Sequence, residues 1–151
     1  MMSIRRAVPA DAPALIVMMR ALAAFEGYLD QFAVSESDLL ARAFGPAAQC
    51  FILLAESNDG APAGYAVYLV QPYTYDLRQN VTLKELFVAQ SQRGQGVAMA
   101  LLEQLRTEAR ALNAGRILWL VLPSNQAAKR LYRRFGGAID GAWEHWQLTL
   151  D

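Results

Sequence analysis

Apolar residues recur along this chain with two different periods, and each period predicts one kind of element. A spacing of three to four residues after Asp11 predicts a helix that Asp11 caps and that runs to about Tyr28. Ser35 and Asp38 form a capping-box pattern before a second, short helix, which Gly45 and Pro46 should end. The apolar positions of the first helix are Leu15, Met18, Met19, Leu22 and Phe25.

Shorter apolar or alternating runs predict strands at Ile4–Val8, Cys50–Glu56, Gly64–Val70, Thr82–Val88, Arg116–Leu122 and Trp143–Leu150. A long amphipathic pattern begins near Gly96 between two of them, so those strands should be parallel. A last helix is expected over Asn125–Phe135. We therefore predict a mixed α/β (α+β) fold, with one central mixed sheet flanked by helices, in a single domain over residues 1–151.

The turn between that strand and the long helix is the most informative stretch. It reads Arg93-Gly94-Gln95-Gly96-Val97-Ala98, the pattern R-x-x-G-x-A. Unpaired N–H groups and the dipole at a helix N-terminus bind anions, and glycine lets a phosphate approach the backbone. A Walker loop would need Gly-Lys-Ser/Thr, and a dinucleotide loop would need glycine in place of Met99. The turn is therefore predicted to hold a diphosphate in another way.

Together with Asn125 and Tyr132, this turn resembles the GNAT acetyltransferases, and most closely their diamine (spermidine/spermine-type) and thialysine branch. The resemblance implies a βαβ core that binds acetyl-CoA as cosubstrate, and an N-acetyltransferase that moves the acetyl group to a primary amine of a small molecule by direct attack in a ternary complex. The cofactor-binding residues that it implies are Leu86, Phe87, Val88, Arg93, Gly94, Gln95, Gly96, Val97, Ala98, Met99 and Asn125. Asn125 is also a good helix cap in its own right.

Candidates for the chemistry are a tyrosine and two carboxylates. A tyrosine hydroxyl can protonate a departing thiolate, and the resemblance implies that Tyr132 is the general acid, although its place on the helix also suits an aromatic packed in the core. Glu85 is expected beside the acetyl site, on one face of its strand with Val81, Leu83 and Phe87, and it or Glu26 can take the amine proton. By resemblance, Phe25, Glu26 and Lys84 border the amine site, although the spacing of Phe25 also suits the core. Lys84 stands where the diamine enzymes have glutamate, which favours an amino-acid-like amine.

Composition limits the partners. Fourteen basic and fourteen acidic residues give no net charge, so neither a nucleic acid nor a membrane partner is expected. The single Cys50 and the absence of a long apolar N-terminal segment favour a cytoplasmic protein. No ligand spacing predicts a metal, and the lone His145 suits a structural role. The tryptophan-containing C-terminal strand is predicted to form a homodimer, as in the relatives. The alternative function is a non-catalytic acyl-CoA-binding or sensing module.

The assignment of Tyr132 as general acid has a direct test. Tyr132→Phe is expected to keep its affinity for acetyl-CoA and to lose about 10²-fold or more in turnover, because only the transferable proton is removed. Steady-state kinetics with a free-thiol readout measure the turnover. An unchanged turnover would remove Tyr132 from the mechanism.

Overall fold

The computed structural model describes residues 2–150, which form five strands and four α-helices. The strands are β1 (Ser3–Arg6), β2 (Phe51–Glu56), β3 (Pro62–Pro72), β4 (Gln79–Val88) and β5 (Arg116–Trp119). The helices are α1 (Ala12–Glu26), α2 (Glu36–Arg42), α3 (Val97–Ala111) and α4 (Gln126–Phe135). The chain divides into two compact units, one ending at Leu120 and the other beginning at Val121.

The first unit contains the whole sheet, in the order β1-β2-β3-β4-β5. Neighbouring strands are antiparallel from β1 to β4, whereas β4 and β5 are parallel and are joined through α3. The predicted βαβ unit and mixed sheet are confirmed. The N-terminal helix α1 shares a buried cluster with one face of the sheet, through Leu15, Leu22, Ile52, Leu54, Tyr65, Val67 and Phe87. The stripe of α3 that the sequence predicts is also buried, at Val97, Leu101, Leu102, Leu105 and Ala109.

The pairing of β3 with β4 contains a bulge. Val67 lies opposite Glu85, but its neighbour Tyr68 lies opposite Leu83. Lys84 is therefore an additional residue in β4. Because side chains alternate along a strand, one extra residue exchanges the faces of everything beyond it.

The predicted alternation along β4 is for this reason only partly right. Glu85 shares a face with Phe87 as expected, since Glu85 lies opposite Val67 and both Val67 and Phe87 belong to the cluster around α1. Val81 and Leu83, which were expected on that face, lie on the opposite one. The bulge thus turns Glu85 toward α1.

Two expectations about α1 are also corrected. Asp11 stands at the N-cap position but makes no side-chain cap bond. Its carboxylate instead accepts two bonds from the Arg5 guanidinium and one from the Val8 N–H, because a nearby charged donor forms a stronger bond than a neutral amide. At the other end, Phe25 is 66% exposed and not part of the core.

The predicted strand over Trp143–Leu150 is wrong, because none of these residues is in a strand. Alternating polarity predicts a strand only if a neighbouring edge accepts its backbone hydrogen bonds. The side chains of Trp143 and Trp146 are 74% and 84% exposed. Strand β5 likewise ends at Trp119 and does not reach Leu122 as predicted. The second helix begins as predicted, since Ser35 and Asp38 cap each other, but it ends at Arg42 and does not continue to Gly45.

One glycine controls how closely β3 approaches β4. Gly64 lies opposite Val88. A Cβ at Gly64 would meet the Phe87 carbonyl oxygen and would lie 3.3 Å from both the Val88 Cα and a Val97 methyl group. The end of β4 and the start of α3 therefore both pack against the backbone of Gly64, where there is no space for a side chain.

Gly64→Ala is expected to lower the free energy of unfolding by about 1–3 kcal/mol, because the added methyl group overpacks this junction. Urea denaturation measures the change. Gly141→Ala is the matched control, since a Cβ there meets no atom within 4 Å. Equal stability of the Gly64 and Gly141 variants would show that the junction has room for a methyl group.

Candidate active site

The turn before α3 has the geometry of an anion site. Gly94 and Gly96 have φ of +77° and +78°, in the left-handed region that favours glycine. No atom lies within 4 Å of the position where a Cβ would stand on either residue, so the turn is open on that side. Gly96 caps α3, and the first N–H groups of α3 have no partner within the helix. These residues fit a diphosphate.

The end of β4 beside this turn has an unpaired edge. Pairing with β5 covers only Asn80–Leu83 of β4. The Ala89 N–H donates to the Ala63 carbonyl at 2.8 Å, so by alternation the backbone polar groups of Val88 and Leu86 point away from β3. These are the groups that the resemblance assigns to the pantetheine arm.

Glu85 lies on the same part of β4 and is partly buried. The hydroxyl of Tyr65, a residue with no exposed surface, donates to its Oε1 at 2.8 Å. Burial raises the pKa of Glu85 above its usual value, and the nearby charge of Glu26 raises it further. The hydrogen bond from Tyr65 and the charge of Lys84 lower that pKa, but by less than burial raises it.

Glu26, at the end of α1, gives this region a second carboxylate. Burial raises the pKa of Glu26. Burial also raises the pKa of Tyr28, and the negative charges of Glu85 and Glu26 raise it further. Two mutually repelling carboxylates favour a cation between them. Cys50 is close enough for Glu85 to raise its pKa in addition to the larger effect of burial, so its thiol stays protonated.

Other residues of the first unit that were predicted as site residues are Lys84, Arg93, Gln95 and Val97. Lys84 is exposed on the bulge. The Arg93 Nε donates to the Val88 carbonyl at 3.1 Å, and the Arg93 guanidinium carbon is 5.9 Å from the centre of the Phe25 ring. Gln95 and Val97 line a cleft of about 600 Å³ with the β2–β3 turn residues Ser57, Asn58 and Asp59.

Two candidates belong to the second unit. Asn125 caps α4 by accepting from the Ala128 N–H at 3.1 Å, as the sequence predicts, and its contact with a cofactor stays a prediction. Tyr132 is half-buried on α4, and its role as acid likewise stays a prediction. Over residues 2–150, no group of three or more His, Cys, Asp or Glu side chains is arranged to hold a metal ion. No helix in the same range is long and apolar enough to cross a membrane.

Comparison with known proteins decides the family. The sequence profile described as "Acetyltransferase (GNAT) family" matches residues 17–137. The chain belongs to this family. It is an N-acetyltransferase with the α/β GNAT fold, and the family uses acetyl-CoA as cosubstrate. In this acetyltransferase, Gly94, Gly96 and the first turn of α3 form an open cradle, and its geometry suits the diphosphate of that cosubstrate.

Two relatives have names from the spermidine/spermine and thialysine branch of the family. The acetyltransferase is 29% identical over 150 residues to bovine (Bos taurus) thialysine N-epsilon-acetyltransferase, covering 95% of this chain and 88% of that protein. It is 29% identical over 153 residues to human (Homo sapiens) spermidine/spermine N(1)-acetyltransferase-like protein 1, covering 96% of this chain but only 22% of that much longer protein. The crystal structure of a probable acetyltransferase matches with a TM-score of 0.85 at 20% identity, covering 99% of this chain and 98% of the other, which shows the shared fold.

The acidic region of the acetyltransferase is the part around Glu85 and Glu26. Three of its residues were not predicted as site residues, namely Tyr28, Tyr65 and Cys50. Tyr65 was overlooked because it lies within an apolar strand, where its hydroxyl gives no signal in the pattern. It lies opposite Phe87, with the two ring centroids 5.9 Å apart. Only the register of β3 against β4 connects it with Glu85.

The raised pKa of Glu85 predicts a pH-dependent effect on stability. A carboxylate whose pKa is higher in the folded than in the unfolded protein costs stability when ionised, and the cost is absent below the unfolded value, ordinarily 4.5. Glu85→Gln keeps an acceptor for the Tyr65 hydroxyl. We expect the variant to have a higher Tm than the parent at pH 8, with the gain disappearing as the pH falls to about 4.

Thermal unfolding at several pH values measures this difference. Glu144→Gln, which removes an exposed carboxylate, is the control and should show no comparable gain. A Glu85→Gln protein less stable than the parent at pH 8 would mean that the ionised carboxylate is stabilised by its surroundings.

Proposed function

We propose that this protein transfers the acetyl group of acetyl-CoA to a primary amine of a small molecule, an amino-acid-like amine or a diamine, by direct attack in a ternary complex. The whole chain would act as one acetyltransferase domain. The observation that carries the proposal is the Glu85 carboxylate, which Tyr65 holds beside the unpaired end of β4. That end leads directly into the glycine turn, so acceptor and donor sites adjoin.

The acidic region would prepare the acceptor. An alkylammonium has an ordinary pKa of about 10.4 and arrives charged at neutral pH. Glu85 and Glu26 attract it, and the partly desolvated Glu85 carboxylate is the better general base, because its raised pKa brings it closer to that of the amine. Glu85 takes the proton and passes it to water. The nitrogen is then left with a lone pair for attack.

The remaining groups would serve the transfer itself. The Val88 N–H lies on the unpaired edge of β4 and can polarise the acetyl carbonyl. As the C–N bond forms and the C–S bond breaks, the nitrogen loses its second proton to solvent. Tyr132 gives its proton to the departing thiolate and regains one from solvent. Leu86, Phe87 and Val88 would hold the pantetheine arm, Arg93 to Met99 the diphosphate, and Asn125 a further part of the cosubstrate.

Lys84 favours an acceptor that carries a carboxylate. Its ammonium is exposed on the bulge next to Glu85, so a substrate that places its amine at Glu85 can place an anion nearby. The name of the bovine relative refers to an amino acid derivative, which agrees with such an acceptor. A polyamine would meet the repulsion of Lys84.

We further propose that the protein is cytoplasmic and forms a homodimer. Its only cysteine cannot form a disulfide within the chain. Large apolar side chains are exposed after α4, and a second copy of the chain would cover them. They are Ile139, Trp143, Trp146, Leu148 and Leu150.

A panel of primary amines, assayed with acetyl-CoA and a free-thiol readout, tests the proposed reaction. Amino-acid-like amines should be acetylated with higher kcat/KM than spermidine. Glu85→Gln should lose about 10²-fold in kcat/KM, because the base is removed while its size and its bond from Tyr65 are kept.

Glu26→Gln is the matched variant and should mainly raise the KM for the amine. Calorimetric titration with acetyl-CoA and with ATP completes the test, and only acetyl-CoA should bind. Acetyl-CoA binding without turnover of any amine would favour the non-catalytic module. Faster acetylation of spermidine would reverse the choice of acceptor.

A further inference from the structure

Arg93 makes two contacts that connect the glycine turn with the end of α1. Its Nε donates to the Val88 carbonyl at 3.1 Å, and its guanidinium carbon lies 5.9 Å from the centre of the Phe25 ring. The Val88 carbonyl faces the unpaired edge of β4, because the N–H of the next residue, Ala89, is bonded to β3. The guanidinium therefore lies where the glycine turn, the end of β4 and the end of α1 meet.

These two contacts hold the guanidinium without occupying all of its donors. Arg93 has five N–H groups, and the bond to Val88 uses the one on Nε. Over residues 2–150, neither terminal nitrogen has a hydrogen-bond partner. An aromatic ring beneath the guanidinium leaves its in-plane N–H groups available, and those groups suit phosphate oxygens.

Phe25 does not belong to the buried core. Its side chain is 66% exposed, although its helical spacing with Leu22 and Met18 predicts burial. An exposed large aromatic at this position gains little from packing, and the ring contact described for it is the one with Arg93. Its place in the molecule is thus explained by the cosubstrate side of the site better than by the acceptor side.

We propose that Phe25 is a positioning residue for the cosubstrate: it holds the Arg93 guanidinium so that the two terminal nitrogens are ready for the diphosphate of acetyl-CoA. This inference rests on the proposed use of acetyl-CoA. It replaces the expectation that Phe25 lines the amine pocket. Acetyl-CoA affinity should depend on Phe25 only through Arg93 and only when the donor carries a diphosphate.

Phe25→Leu tests the role of the ring, and Phe25→Tyr should restore it. The Leu variant is expected to bind acetyl-CoA about two- to fivefold more weakly, the loss that corresponds to one exposed cation–π contact. Its KM for S-acetylpantetheine, a donor without the diphosphate, should not change. Its KM for the amine at saturating acetyl-CoA should not change either.

A double-mutant cycle with Arg93→Ala gives the sharpest readout. In the Arg93→Ala background, Phe25→Leu should cause no further loss of acetyl-CoA affinity. Val17→Ala is the matched control, because Val17 is a 69% exposed apolar residue on the same helix, and it should bind acetyl-CoA as the parent does.

The inference would be overturned by a raised amine KM in Phe25→Leu with unchanged acetyl-CoA affinity, by an equal loss with and without Arg93, or by an equal loss for S-acetylpantetheine. Parent protein that binds no acetyl-CoA would instead refute the proposed function. Parent protein that binds normally, with an unaffected Leu variant, would refute only the role of Phe25.

Discussion

The hydrogen bond between the Tyr65 hydroxyl and the Glu85 carboxylate is the contact on which the proposed amine site depends. A carboxylate taken out of water is costly unless a donor satisfies it, and Tyr65, itself without exposed surface, supplies that donor at 2.8 Å. Partial burial makes Glu85 a stronger base, and the bond from Tyr65 fixes where its oxygen lies. Under the proposed mechanism, binding of the amine and acceptance of its proton would both follow from this one arrangement.

The proposed acetyl-CoA site depends on the close approach of two backbone segments. Gly64 lets β3 lie against the end of β4 and the first turn of α3, so the strand that carries Glu85 leads within a few residues into the cradle of Gly94 and Gly96. The two proposed sites therefore adjoin because they share one strand. No large movement is needed to bring Glu85 and the Val88 N–H to the same end of β4.

Much of this was predictable from the sequence. The R-x-x-G-x-A turn, the βαβ unit and the Asn125 cap depend on local patterns, and local patterns are what periodicity and turn chemistry report. The lost strand at Trp143–Leu150 and the exposure of Phe25 were not predictable, because both depend on what lies next to the segment in space. Tyr65 was missed for the same reason. Its partner Glu85 is twenty residues away, and only the register of the sheet brings them together.

The additional residue at Lys84 also restricts how this chain can change over time. Replacing one apolar side chain of β4 by another alters packing locally. Gaining or losing a single codon between Asn80 and Lys84 would instead exchange the faces of one part of β4 relative to the other, so Glu85 could keep its bond to Tyr65 only if Val81 and Leu83 changed faces. Homologous chains with the same chemistry are therefore expected to vary freely in composition here while keeping the length of this segment constant.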